Sequence, residues 1–462
     1  MDIMIILQVI VLLGAIFIGI RLGGIAIGYA GGLGVVILGL VLGMKPGNIP
    51  WDVILIIAAA IAAISAMQQA GGLDYMVRVT EKILRSSPKF INYLAPACGW
   101  LLTILAGTGN AVFSLMPVVV DVAKSQNIKP SVPLSLMVVS SQIGITASPV
   151  SAAVVYMSGV LEPLGWNYPT LIGIWISATF VACMLAAFIV SLITPMDLSK
   201  DSVYQERLKA GLVKDAGAVL HGEDKPGAKL SVVIFLITVL AVVLYATAIS
   251  SNIKWIDPVV VPRDAAIMSF LLTAATLITW LCKVEPGKIL DTSVFKSGMT
   301  ACVCVFGVAW LGNTFVAGHE ASIKEVAGDW VKQTPAMLAV AFFFASMLLY
   351  SQAATAKAIV PVIITALGIS AANPHDSYML VACFAAVSAL FVLPTYPTLL
   401  GAVQMDDTGT TRIGKFIFNH SFFLYTRSFS YCNCCSIRLC ISSYAYLNQT
   451  LGFSLLGLKF FH

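Results

Sequence analysis

Residues 350–363 read YSQAATAKAIVPVI. They interrupt a run otherwise suited to lipid, AMLAVAFFFASMLL, which occupies 336–349. In hydrocarbon each unpaired polar group costs several kcal/mol, and a Lys at the bilayer centre costs about 3 kcal/mol or more. Ser351, Gln352, Thr355 and Lys357 therefore need something to offset them, in the fold or in a bound molecule. A second run has the same form. Residues 90–122 and 336–368 are each too long for one comfortable span, and each is split by a polar knot, GTGN (107–110) and SQAAT (351–355). The flanking halves, about 10–15 residues, are too short to cross. The pattern predicts two re-entrant hairpins, whose backbone survives at depth only where protein or water lines it.

The rest of the chain is built for the same solvent. Of 462 residues, 59% are hydrophobic and only 11% charged, against about 25% charged in a soluble protein. Apolar runs long enough to span occur near 3–20, 23–43, 52–71, 132–158, 168–194, 230–250, 265–282, 297–317 and 377–404, with a last one from about Phe416. The N-terminal run has no basic segment before it and is read as a first transmembrane helix rather than a removed signal. The longest hydrophilic stretch, 197–229, is too short for a soluble catalytic domain. The ten Cys show no metal or disulfide spacing in the body of the chain, and the net charge of +5 resides in loops rather than in a nucleic-acid-binding patch.

Lys and Arg are dense in 72–90, 124–129, 200–229 and 283–296, and absent from 159–167. Placing the dense segments in the cytoplasm puts the N-terminus outside. The first hairpin then enters from the cytoplasmic side and the second from the opposite side, the mark of an inverted repeat. Spacings agree. Asn110 to Pro117 and Ala354 to Pro361 are both seven residues, and Pro117 to Pro149 and Pro361 to Pro394 are 32 and 33. The same shift carries the amphipathic stretch DYMVRVTEKILRSS (74–87) onto HEASIKEVAGDWVKQ (319–333). In the first of these, Met76, Val79 and Ile83 share one helical face, and Glu81 and Arg85 pair at i, i+4.

The expected fold is all-α: a polytopic membrane protein of about ten transmembrane helices plus two re-entrant hairpins in two inverted repeats. The first repeat is 1–194 with its hairpin at 90–122. A cytoplasmic loop, 195–229, leads to the second repeat, 230–423, with its hairpin at 336–368; 424–462 is an atypical tail.

Two broken spans, 141–156 and 390–402, complete the expected centre. Pro149, Pro394 and Pro397 each remove a backbone donor; Ser148, Ser151, Thr395 and Thr398 can satisfy the carbonyls set free. After each knot a short helix is predicted to start, near 111 and near 356, with an N-terminus that favours anions. Two such ends near mid-depth suit a small dianion, one carboxylate at each. Thr108, Asn110, Ser148, Ser351, Gln352, Thr355, Lys357 and Thr395 are the candidate substrate contacts. The plainer alternative is that these groups cap their own half-helices while Lys357 snorkels outward.

The stretches AISAMQQAGGLDYMVRVTEKILR, LTILAGTGNAVFSLMPVVVDVAK, ITASPVSAAVVYMS, LYSQAATAKAIVPV and FVLPTYPTLLGAVQMDDTGTTRIGKFIFNHSFF resemble the anaerobic C4-dicarboxylate transporter (Dcu) family, over about residues 4–423. The resemblance implies an inner-membrane exchanger of fumarate, malate, aspartate and succinate that serves anaerobic fumarate respiration. It also implies the wider ion-transporter architecture with paired hairpins. Charged residues that the family ties to transport match Glu81, Arg85 and Lys129; the last stands where members can carry Arg, and a lone ammonium does not make the bidentate contact of a guanidinium. After HSFF the chain departs from the family. Between Ser421 and Thr450 it has no Gly, no Val and one Ala, and four of its ten Cys fall in 432–440. A change of reading frame near Phe423 is expected.

The expected function is exchange of small dicarboxylates, with lipid as the other partner, no cofactor, no metal and no nucleic acid; a homo-oligomer is compatible with it. Cation-coupled symport is the rival within transport. An intramembrane enzyme is the remote one, since no HExxH, no GxSxG and no paired intramembrane Asp occurs, and the five His fall in loops or the tail.

Overall fold

The structure is a computed structural model that describes residues 3–22, 25–49, 51–213, 225–250, 253–319, 337–349, 351–372, 374, 376–393, 396–414 and 419–422. Thr395, Pro394, most of the second amphipathic stretch and the tail from 424 lie outside the described residues.

Among those residues the chain is helical, with two isolated β-bridges and no strand. It opens with α1 (Ile3–Leu22) and α2 (Ala26–Val36), the latter continuing as a π turn (Ile37–Val41). α3 (Trp51–Gln69) meets α4 (Gly72–Ser86) at a bend of 75°. The corner is Gly71 at φ +88°, a conformation open to a residue without Cβ. The first hairpin is α5 (Ile91–Ala106), a 3₁₀ turn (Gly109–Ser114) and α6 (Met116–Ser125). α7 (Ser131–Gly144) and α8 (Ala152–Leu161) form a broken pair, followed by α9 (Tyr168–Ile193) and, in the loop between halves, α10 (Ser202–Lys209). The second half runs α11 (Ala228–Ala248), α12 (Arg263–Leu281), the short α13 (Pro286–Ile289) and α14 (Ser293–Cys304), which passes through a π turn (Val305–Ala309) into α15 (Trp310–Gly318). α16 (Met337–Leu349) and α17 (Gln352–Leu367) make the second hairpin. α18 (Ser377–Cys383), a 3₁₀ segment (Phe384–Phe391) and α19 (Pro397–Met405) make the second broken span.

Among the described residues, six helical segments are long and apolar enough to cross a membrane, seven if α3 and α4 count as one bent span. The chain is a multi-pass membrane protein. Ile3–Gly19, Ala26–Val41, Met337–Met347 and Ser377–Phe391 are shorter apolar helices, and they make up much of the difference from the ten or so spans that the sequence predicts. The first hairpin arm is longer than expected: with the preceding 3₁₀ turn it runs 19 residues, Pro88–Ala106. Its reversal comes from Gly107, at φ +69°, rather than from a lack of length.

α7 is the axis of the molecule. Every residue from Val132 to Gly144 is buried, as befits a helix packed on all sides. α5 lies along α7, and in the second half α16 lies along the 3₁₀ segment 384–391. The halves also exchange partners: α17 packs on α8, while α19 packs on α7 and on the turn 109–114. α4 is an amphipathic helix, as its sequence predicts. Its buried stripe is Leu73, Val77, Thr80 and Leu84, and Val79 and Ile83 are exposed. α11, α5 and α3 claim the first stripe, leaving Val79 and Ile83 as an adjoining apolar stripe outside the bundle, where a lipid interface would take it.

α2 crosses the π turn 305–309 at backbone contact. A Cβ on Gly307 would sit 1.8 Å from the Gly28 carbonyl oxygen, and one on Gly31 would sit 2.3 Å from the Gly307 carbonyl carbon. Small residues permit such crossings where helices must associate by packing rather than by excluding water. Gly307→Val forces two backbones apart and should destabilise the protein by roughly 1–3 kcal/mol or more, seen as a lowered detergent melting temperature and less monodisperse protein. Gly32→Ala, where nothing lies within 4 Å of the added carbon, should melt like wild type; equal melting of both variants would contradict the crossing.

Candidate functional site

The first turn is shaped by its own backbone. The Gly107 N–H donates to the Thr103 carbonyl at 2.8 Å, ending α5. Thr108 is extended, and its Oγ1 accepts from the Asn110 N–H at 3.3 Å. A Cβ on Gly107 would meet Val150 at 2.9 Å, and one on Gly109 would meet the Gln142 carboxamide nitrogen at 2.6 Å. The turn is thus pressed against α7 and against the break that follows it.

The second turn is capped more tightly. Ser351 Oγ accepts from the Ala354 N–H at 3.2 Å, and the Ser351 carbonyl accepts from the N–H and the hydroxyl of Thr355 at 3.0 and 2.7 Å. α17 therefore starts at Gln352, a turn earlier than the predicted 356. Serine is a strong N-cap, and a threonine hydroxyl readily bonds back four residues. Thr355 is spent in this way. The first-turn N–H groups of Gln352 and Ala353 have no intrahelical partner.

Both turns converge on Gln142 of α7, which is fully buried. Its backbone carbonyl accepts from Gln352 Nε2 at 3.2 Å, while its own Nε2 donates to Thr398 Oγ1, in the first turn of α19, at 3.1 Å. One residue thus joins turn one, turn two and the second broken span. Nearby, Ser148 Oγ donates to the Ile104 carbonyl of α5 at 2.6 Å, and Ser151 Oγ donates to the Ile145 carbonyl at 2.7 Å and accepts from the Val154 N–H at 3.3 Å. Ser151 repairs the break around Pro149, and Ser148 ties it to the end of α5. Of the predicted contacts, Gly109's neighbours Thr108 and Asn110 and the pair Ser351 and Gln352 belong to the turns that meet Gln142. Ser148 and Thr355 serve the backbone, and Thr395 lies outside the described residues.

Lys357 sits in the second turn of α17. Its ammonium pairs with the Asp52 carboxylate, in the first turn of α3, and lies 5.3 Å from the centroid of the Tyr156 ring of α8. Sequence reasoning did not single out Asp52. The signal was present, since it is a lone acid beside a long apolar run, but its partner is 305 residues away.

A charged cluster lies at the far end of the first hairpin. Arg85 bridges Glu81 on its own helix, at 2.7 Å, and Asp121 of α6, at 2.6 Å. Asp121, buried within VVVDVAK, is a second acid that the sequence reading missed. Lys124 pairs with Asp407 at 2.9 Å, and Arg207 of α10 donates to the Asp407 backbone carbonyl at 2.9 Å. Asp121, Lys124, Arg207 and Asp407 line a cavity of about 880 Å³. Lys129 instead holds Asp201, the cap of α10, at 3.0 Å. Burial alone would raise the Asp201 carboxyl; the Lys129 ammonium and the N–H groups of Tyr204 and Val203 outweigh it and keep it below the usual carboxylate range. Glu81 and Arg85 thus act together on the hairpin, and Lys129 anchors the loop between the halves.

Known proteins share this architecture and much of this sequence. Over 91% of its length the chain superposes on 89% of the Alcanivorax borkumensis YdaH transporter, with a TM-score of 0.51 at 13% identity. For the Neisseria gonorrhoeae efflux pump MtrF the TM-score is 0.53 at 11% identity, over 96% and 95% of the two chains. At these identities the likeness is one of fold. Sequence relatives are far nearer. The C4-dicarboxylate transporter DcuA of Helicobacter pylori is 61% identical over 90% of this chain and 94% of its own; that of Escherichia coli K12 is 53% identical over 91% and 95%. An Escherichia coli DcuB, an anaerobic C4-dicarboxylate transporter, is 37% identical over 90% and 94%. The family model for the anaerobic C4-dicarboxylate membrane transporters matches residues 4–444, and the chain belongs to that family.

Proposed function

We propose that the protein is a secondary transporter that exchanges C4-dicarboxylates such as fumarate, malate, aspartate and succinate across a bacterial inner membrane, with its N-terminus in the periplasm. The observation that carries this reading is the convergence of both turns on Gln142. It brings the beginning of α17, which favours carboxylates, to the same buried residue as the 3₁₀ turn Gly109–Ser114; α6 itself starts at Met116 rather than near 111. One carboxylate would meet the Gln352 and Ala353 N–H groups, and the other the turn around Thr108, Gly109 and Asn110. The family supplies the substrate class, and transport rather than catalysis.

The two halves, 1–194 and 230–423, are read as inverted repeats. Matched packing supports this: α5 on α7 corresponds to α16 on 384–391, and α8 on α17 corresponds to α19 on the turn 109–114. In such a fold, rocking of one bundle against the other opens the midplane site to each side in turn. Arg85 couples α4 to the moving hairpin through Asp121, which gives the transport-linked pair Glu81 and Arg85 a mechanical role. Lys357 is counted in the site as the cation next to turn two, released from Asp52 when a substrate carboxylate arrives.

Exchange is tested by counterflow. Labelled fumarate should enter succinate-loaded proteoliposomes and leave empty ones unlabelled; equal uptake into empty vesicles under a sodium gradient would point to cation-coupled symport. Lys357→Gln should raise the apparent KM for every dicarboxylate about tenfold, because one charge-assisted hydrogen bond is worth roughly 1.5–3 kcal/mol. Adding Asp52→Asn should restore membrane abundance but not KM; a restored KM would reduce Lys357 to an ion pair of the scaffold. Asp121→Asn should slow exchange severalfold at equal abundance, and the swap Arg85→Asp with Asp121→Arg should recover part of it. Normal exchange in Asp121→Asn would remove the coupling from the mechanism.

A further inference from the structure

The Gln142 carboxamide is only half used. Its Nε2 donates to Thr398 Oγ1. Its Oε1 is buried with no hydrogen-bond partner. A buried acceptor left this way carries a desolvation cost that a native fold normally avoids, so an unpaired oxygen at the meeting of two turns calls for a partner. The turn opposite offers none. Residue 109 is glycine, and a carbon added there would sit 2.6 Å from Nε2 and 3.5 Å from Oε1. The glycine lets the turn backbone close against the carboxamide while supplying no side-chain donor to Oε1.

We infer that Gln142 Oε1 is a specificity-determining contact for C4-dicarboxylates that carry a hydrogen-bond donor at C2. The inference rests on the reading of the two turns as the dicarboxylate site. At neutral pH the four substrates share two ionised carboxylates, which are acceptors only. They differ between them: aspartate has an ammonium at C2 and malate a hydroxyl, whereas fumarate and succinate have carbon and hydrogen alone. A carboxamide oxygen at the meeting of the two turns can reach the atoms at C2 that distinguish the two classes. It gives nothing to the unsubstituted acids, which leave it unpaired on binding. A polar site built for a donor discriminates against an analogue that lacks one more strongly than an apolar pocket discriminates by size.

The test is competition in succinate-loaded proteoliposomes. Labelled succinate exchange is inhibited by unlabelled aspartate, malate or fumarate, and the readout is the ratio of inhibition constants, independent of the absolute rate. In Gln142→Leu the preference for aspartate and malate over fumarate should fall about tenfold, the worth of one hydrogen bond to a charged or strong donor. Gln142→Glu keeps the size and the acceptor and adds a negative charge, so aspartate should gain on fumarate; this variant keeps the question open to test if the leucine variant does not reach the membrane. Thr398→Val removes the partner of Nε2 and should leave the ratio unchanged. An equal loss of affinity for all three acids in Gln142→Leu, or a fall of the aspartate ratio in Gln142→Glu, would overturn the inference and leave Gln142 as a spacer between the turns. Wild-type vesicles that exchange no dicarboxylate would instead sink the functional proposal beneath it.

Discussion

A helix broken inside a membrane sets free backbone groups that neither water nor lipid can pair. The rest of this structure depends on how that debt is met. Ser151 takes up the Ile145 carbonyl that Pro149 leaves free, and Ser148 takes up the Ile104 carbonyl at the end of α5. Ser351 and Thr355 close the start of α17. Thr108 caps the turn of the first hairpin. Each repair is a short side chain bonding to a nearby backbone group, and the repairs fix where the turns can lie. Only after them do Gln352 and Gly109 arrive at Gln142.

The central position of α7 follows. A helix buried on every side cannot carry Ser135, Ser140, Ser141 and Gln142 for contact with lipid, and their polarity is tolerated only because both halves of the protein close around it. Charge is treated differently. The pairs Arg85–Asp121 and Lys124–Asp407 sit at one end of the first hairpin, and Lys357–Asp52 ties the second hairpin to α3. Each pair joins a hairpin to another element rather than linking neighbours within one helix. Breaking a shielded pair by removing one partner is costly; exchanging that partner for a substrate carboxylate is much less so. On the proposed reading this makes such pairs suitable as latches.

Much of this was legible in the sequence, because interruption of an apolar run is a local signal. GTGN and SQAAT marked both turns, Pro149 marked the break, and EKILR marked the Arg85–Glu81 pair. What escaped depends on distant partners. The start of α17 moved by a turn because Ser351 caps it, which the residue pattern alone does not rank above a start near 356. The face shared by Met76, Val79 and Ile83 was visible, but which stripe of α4 packs inward, Leu73, Val77, Thr80 and Leu84, depends on α11, far along the chain. Asp52 and Asp121 are single acids in apolar surroundings, and composition flags them without naming their partners. Gln142 was hardest to see. It is one polar residue among several in α7, and its importance lies in three contacts from three different elements.

The account stands on a dicarboxylate held between the two turns at Gln142. The most direct measurement is a cryo-electron microscopy structure of the purified protein in lipid nanodiscs saturated with fumarate. The account predicts density for one fumarate beside Gln142, with one carboxylate within hydrogen-bond distance of the Gln352 and Ala353 N–H groups and the other at Thr108–Asn110. Density confined to the cavity beside Asp121 and Lys124, with the turns still closed on each other and empty, would contradict it.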